Sequence, residues 1–185
     1  MWPWGHLAVG YLLYSLAVRL RERRPPTGPA AIAVAFGTQF PDLVDKPLAW
    51  TFGVLPNGRS LAHSLLVATL VVAVVAVVFR RWNRGRVATA FAVGYLSHLF
   101  GDALSPLASG DVSALAFLAW PLAPPIEYAT EQSFAAHLGE LALDAVVSVE
   151  FALGVAVFGL WVVDGAPGLR IVAAAPRWVG RKLSA

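Results

Sequence analysis

Five apolar runs, each flanked by arginines or by isolated acids and histidines, restrict this chain more than any other feature of its sequence. The runs are 5–20, 29–41, 63–80, 87–107 and 139–163. A helix that crosses a membrane needs roughly 20 mostly apolar residues. Of the 14 Lys and Arg residues, all but Lys46 and Arg59 fall in three clusters beside these runs. The clusters are Arg19, Arg21, Arg23 and Arg24; Arg80, Arg81, Arg84 and Arg86; and Arg170, Arg177, Arg181 and Lys182. Basic residues near span ends are held on the cytoplasmic side. With all three clusters inside, the runs alternate without conflict from an outer N-terminus to a cytoplasmic C-terminus.

The sequence therefore predicts an all-α, multi-pass integral membrane helical bundle of about five spans in the cell (inner) membrane. The composition agrees: 58% of residues are hydrophobic and 14% charged, against about 45–50% and 25% in soluble proteins. The run 29–41 is short enough to be tilted, half-buried or re-entrant. The stretch 113–122 is too short to cross and reads as interfacial or re-entrant. Residues 1–185 read as one transmembrane domain, with 139–163 as the last span and 164–185 as a basic cytoplasmic tail. Residues 1–5 lack a positive n-region, so no cleaved signal peptide is expected. The positive balance follows the spans and does not form a basic groove, so membrane lipids are expected as partners and nucleic acid is not. The absence of cysteine excludes disulfides, thiolate metal sites, cysteine nucleophiles and iron–sulfur clusters.

This topology carries an unforced consequence. His6, Asp42, Asp45, His63, His98 and Asp102 all fall at the outer ends of four different runs. Ionisable groups inside spans are costly and mark functional sites by default. His98 and Asp102 share a helix face one turn apart, and Asp42 and Asp45 are three apart in PDLVD. Carboxylates and imidazoles on facing helices are how bundle cores hold metal ions, and neighbouring carboxylates repel unless a cation or proton sits between them. A nitrogen and oxygen ligand set suits Zn, Mn, Fe or Co, or Mg with fewer His. Taken singly, these residues have plainer readings: an interfacial His6, a turn or cap at Asp42, an internal hydrogen-bonded pair at His98 and Asp102. Together, at one depth, they point to one or two divalent ions, Zn or Mn first, held by His6, Asp42, His63, His98 and Asp102.

The segments HLAVGYL, FPDLVDKP, GRSLAHSLL and GYLSHLFGDALSP, in this order, resemble the YdjM-like family of membrane-bound metal-dependent hydrolases. They are more remotely similar to zinc-dependent phospholipase C proteins. The resemblance covers roughly residues 5–122. It implies that the family's N-terminal His is His6, its Pro-Asp-x-Asp element is Asp42 and Asp45 with Val44 intervening here, its Arg-x3-His-Ser element is Arg59, His63 and Ser64, and its His-x3-Asp is His98 and Asp102. Lys46 stands where the family often has a histidine, and Ala62 where it often has threonine.

The resulting expectation is metal-assisted hydrolysis of an ester or phosphoester, of a lipid or lipid-linked substrate, at the outer face of the membrane. In that scheme Arg59 steadies an anionic substrate or binds headgroups. Asp45 is a ligand, a general base or a partner for an imidazole. Ser64 hydrogen-bonds at the site or caps the third span. The rival readings are a metal-ion or small-solute carrier, whose polar residues would line a path to the inner side, and a non-catalytic membrane scaffold. His137, Glu140 and Asp144 recur at helical spacing and face headgroups or the site. Glu150, in mid-span, is expected to be protonated or paired.

Overall fold

The computed structural model describes residues 1–127, 133–139 and 145–174. Among these residues the chain is helical, with no strand. Its helices are α1 (Pro3–Glu22), α2 (Gly28–Lys46), α3 (Leu65–Arg81), α4 (Gly85–Ser109), α5 (Phe134–Gly139) and α6 (Ala145–Val163). A π-helical turn, Pro47–Thr51, extends α2, and a 3-10 helix, Val112–Ala119, follows α4. Among the described residues α4 is the one helix both long and apolar enough to cross a membrane, and Val147–Val163 forms a shorter apolar helix. Glu140, Asp144 and the side chain of His137 lie outside the described residues, as do Arg177, Arg181 and Lys182.

The packing is set by three glycines where α1, α2 and α4 meet. A Cβ on Gly94 would fall 2.3 Å from the Val34 carbonyl oxygen, and one on Gly37 would fall 2.4 Å from that of Phe91. On α1, a Cβ at Gly10 would lie 2.2 Å from the Thr38 methyl and 2.9 Å from the Ser97 hydroxyl. The helices therefore touch backbone to backbone, as helices do where lipid provides no hydrophobic drive and close van der Waals packing must hold them. Tyr95, Phe91 and Leu99 fill the α4 side of this junction, and Tyr11, Tyr14 and Val34 the α1 side.

The outward surfaces are apolar. Leu70, Val74 and Val77 on α3, Phe100 and Leu104 on α4, and Phe151, Val155 and Phe158 on α6 are all exposed. Buried positions, by contrast, include His6, Ser15, Thr38, Asp45, His63, His98, Asp102, Glu150 and Asp164. An apolar exterior around a partly polar interior suits a protein whose solvent is lipid.

Contacts divide the polar groups between two ends of the bundle. At one end Arg86 pairs with Glu22 at 3.2 Å, and Arg19 Nε donates to Asp164 at 3.0 Å. Two of the basic clusters thus share an end. At the opposite end Gln39 donates to the Pro3 carbonyl, Trp2 N–H donates to Glu150, and His6 meets Asp102.

Run 29–41 differs from its sequence reading. Helix α2 continues through Pro41 to Lys46, so Asp42 lies within a helix and is not a turn or N-cap residue. Pro41 removes one backbone donor, yet the helix continues through it with its buried face on α4. The third run also starts later than expected. Helix α3 begins at Leu65 with Ser64 as its N-cap, which places His63 in the preceding turn. The stretch 113–122 lies largely in the 3-10 helix, which packs beside α3 and α4 with Phe117 buried.

Candidate metal centre

Four elements deliver the polar cluster. Helix α1 brings His6, α2 brings Asp42 and Asp45, the turn before α3 brings His63, and α4 brings His98 and Asp102. All three imidazoles are buried. The rings of His6 and His98 stack with centroids 3.8 Å apart. That approach needs Gly101, where a Cβ would lie 3.2 Å from His6 Nδ1.

The orientation of the His63 and His98 rings is fixed by what their Nδ1 atoms meet. His63 Nδ1 lies 2.8 Å from Asp45 Oδ2, and His98 Nδ1 lies 2.7 Å from the Thr38 carbonyl oxygen. A carboxylate and a carbonyl accept and do not donate, so both Nδ1 atoms carry the proton. In the neutral rings that metal ligation requires, both Nε2 atoms then present lone pairs, and they lie 3.1 Å apart. Asp42 Oδ1 lies 3.6 Å from His63 Nε2 and 3.8 Å from His98 Nε2. Asp102 Oδ2 lies 3.5 Å from the first and 3.7 Å from the second. Oxygens of Asp42 and Asp102 thus each lie within 3.8 Å of both Nε2 atoms.

A tetrahedral ion with bonds of about 2.0–2.1 Å holds its ligands roughly 3.3 Å apart. The observed separations bracket that value, so the residues present fit a divalent ion of the zinc or manganese type. On the other side of Asp102, His6 Nε2 stands 3.3 Å from Oδ1. His6 Nδ1 is buried with no hydrogen-bond partner. Two overlapping groups, His6–His98–Asp102 and Asp42–His63–His98, each bring a ligand atom within 4.8 Å of the others.

Asp45 is the organiser of the turn. Besides His63 Nδ1 it accepts the backbone N–H groups of Ser60 at 2.9 Å, Ala62 at 2.8 Å and His63 at 3.2 Å. It is fully buried, and its four donors leave it pointed at the loop, away from the Nε2 pair. Asn57 completes the loop by accepting from Arg59 N–H and Ser60 and donating to the Ile126 carbonyl. Tyr95 donates to the Ala62 carbonyl at 2.7 Å. Phe117 stands edge-on to the His63 ring.

Arg59 forks onto Asp102, with Nε 2.9 Å from Oδ2 and Nη2 3.1 Å from Oδ1. The Met1 amino nitrogen also reaches Oδ1, at 3.1 Å. Ser64 accepts from Leu66 N–H and donates to the Trp120 carbonyl, so its hydroxyl is committed at both ends. The structure therefore brings together His6, Asp42, His63, His98 and Asp102, sets Asp45 behind His63, sets Arg59 on Asp102, and turns Ser64 toward the 3-10 helix.

The model of the YdjM inner membrane protein family matches residues 1–163, which include every residue of this cluster. The chain belongs to the YdjM family. Curated proteins and solved structures give no match. As a YdjM protein the chain is an inner membrane protein, in keeping with its helical fold and apolar exterior.

Sequence reasoning missed several contributors. Thr38 acts through its carbonyl, a group present in every residue. Asn57 lies outside the segments that carry the resemblance, and Ser60 and Tyr95 lie within them without an assigned role. The partner of Glu150 is Trp2 N–H, at 2.8 Å, and a Cβ at Gly5 would meet the same carboxylate. Asp164 was read only as part of the tail. It is buried and accepts from Tyr11, Ser15 and Arg19. Its signal was an acid directly after an apolar run.

Proposed function

We propose that this YdjM protein is a metal-dependent hydrolase of ester or phosphoester bonds, acting on a lipid or lipid-linked substrate at the outer face of the membrane. The observation that carries the reading is the pair of Nε2 atoms held 3.1 Å apart with carboxylate oxygens of Asp42 and Asp102 beside them. Bare acceptors in contact are repulsive, and a shared cation removes the repulsion. His6, Asp42, His63, His98 and Asp102 would hold one or two such ions. A divalent ion there supplies charge neutralisation and activation of water.

The chain's own groups do the rest. Asp45 fixes the tautomer and aim of His63, and the Thr38 carbonyl does the same for His98. Phe117 keeps bulk water from the His63 ring. Arg59 holds Asp102 in place and, a third exposed, is placed to meet an anionic group arriving from outside.

The proposed topology is five spans, an outer N-terminus and a cytoplasmic C-terminus. Its support is the sharing of one end by the first two basic clusters, opposite the histidines. The chain lacks cysteine, so single thiols report cleanly. Val54→Cys, exposed at the cluster end, should react with an impermeant thiol reagent on intact cells, and Trp82→Cys should not. The reverse pattern inverts the site to the cytoplasmic face.

One observation favours a carrier: the second buried polar group, Asp164 with Tyr11, Ser15 and Arg19, at the other end. Between the two clusters, however, α1, α2 and α4 meet at Gly10, Gly37 and Gly94 with no room for a methyl group. The deciding experiment uses purified protein supplied with Zn or Mn and a panel of phosphodiesters, phosphomonoesters and acyl esters. Hydrolysis that is lost with chelator, restored by metal and absent in His63→Ala supports the enzyme. Silence on the panel, with His63-dependent metal uptake into proteoliposomes, replaces it with the carrier. Silence in both leaves the scaffold.

A further inference from the structure

Lys46, on the last turn of α2, has no part in the ligand set, yet it is built into the centre. Its Nζ lies 2.8 Å from Asp42 Oδ2, while the other oxygen of that carboxylate faces His63 and His98. Arg59 holds both oxygens of Asp102, including the Oδ2 that faces His63 and His98. Two cations thus reach the centre from two sides, each through a carboxylate that also faces the imidazoles. Both are open to the outside, Lys46 at 15% and Arg59 at 33% side-chain exposure, whereas His63 and His98 are sealed.

The two cations are also linked to one another. Lys46 Nζ sits 5.4 Å from the centre of the Trp50 ring. Gly58, next to Arg59, lies so close to that indole that a Cβ there would fall 3.0 Å from it. The residues Lys46, Trp50, Gly58 and Arg59 form one continuous rim.

Charge decides what this rim selects. Metal ligation requires neutral imidazoles. The three carboxylates Asp42, Asp45 and Asp102 are then balanced by Lys46, Arg59 and the Met1 ammonium. A single dication leaves the centre positive. It also competes for the carboxylate oxygens, which weakens their hold on the two rim cations. A neutral carboxylic ester gains nothing from a cationic rim, whereas a phosphoester brings the compensating charge and oxygens that match a guanidinium fork and an ammonium.

We propose that Lys46 and Arg59 form the anion-binding rim of this centre, and that its substrate is an anionic phosphoester and not a neutral carboxylic ester. The proposal rests on the metal reading, and its test separates the two. Binding of inorganic phosphate to detergent-purified protein is measured by calorimetry, with metal content determined in parallel. The metal-loaded protein should bind phosphate and the chelated protein should not. Lys46→Gln should keep its metal but bind phosphate about 10–100-fold more weakly, as loss of one charged hydrogen bond predicts. Lys46→Arg should restore binding to within a few-fold, which a folding defect in the Gln variant would not explain away. A short-chain phosphatidate in a second arm identifies the source: tighter binding than phosphate supports a lipid phosphoester, and equal binding supports a soluble one. Phosphate binding that is indifferent to metal, or equal in metal-replete Lys46→Gln, overturns the rim. A wild-type protein that binds no metal overturns the metal reading, and the rim with it.

Discussion

Substituting alanine at Gly94 tests how the helix crossing supports the site. The added Cβ would fall 2.3 Å from the Val34 carbonyl oxygen and 2.9 Å from the Thr38 nitrogen, both backbone atoms. Ordinary contact begins at about 3.4 Å, so α2 and α4 must part by about 1 Å. Overpacking of this kind costs about 1–3 kcal/mol. The His98 Nδ1–Thr38 bond of 2.7 Å, stretched by that amount, exceeds the roughly 3.5 Å reach of a hydrogen bond. Asp42 and His98, on opposite sides of the crossing, are drawn apart by the same step, and a misplacement of about 1 Å costs on the order of 100-fold at a precise site.

Gly94→Ala should therefore melt about 4–8 °C lower in detergent, for a loss near 2 kcal/mol in a chain of this size. Its metal affinity should fall 10-fold or more, following the cost of losing an orienting partner. The control is Gly154→Ala on α6, where a Cβ meets nothing within 4 Å. There alanine should be neutral or stabilising by up to about 1 kcal/mol, because glycine is the poorer helix former. If thermal melts and metal titrations cannot tell the two variants apart, the backbone crossing does not hold the centre together.

Three further outcomes follow from the same geometry. Asp45→Asn places an NH2 group among N–H donors and should lower metal affinity about 10–100-fold, read by metal titration of the purified protein; full affinity would remove Asp45 from the support of His63. Ser64→Ala should lose about 1 kcal/mol of stability as a missing N-cap while retaining metal and measurable hydrolysis, whereas complete loss of turnover in a folded, metal-replete protein would make Ser64 a catalytic residue. Asp164→Asn should lower the melting temperature, since charged hydrogen bonds contribute about 1.5–3 kcal/mol, and leave metal content unchanged because the cluster sits at the far end of the bundle.

The sequence alone determined the solvent and the ligand types. Runs of Ala, Val and Leu at 63–80 and 87–107 are long and apolar enough to favour a membrane, and that reading needs no coordinates. His98 and Asp102 share a face because helical periodicity is local, and the placing of His6, Asp42 and His63 at one end followed from alternation of spans. Tertiary structure decided what no local rule reaches. Helix α2 continues through Pro41 with its buried face on α4. The tautomers of His63 and His98 depend on Asp45 and on a carbonyl contributed by another helix. The pairing of Asp164 with Tyr11, Ser15 and Arg19 joins residues about 150 positions apart, and Gly94 matters only because Val34 lies against it. Composition and periodicity report the preference of each segment for its surroundings, whereas the roles of Asp45 and His98 come from atoms that other segments place within 3 Å of them.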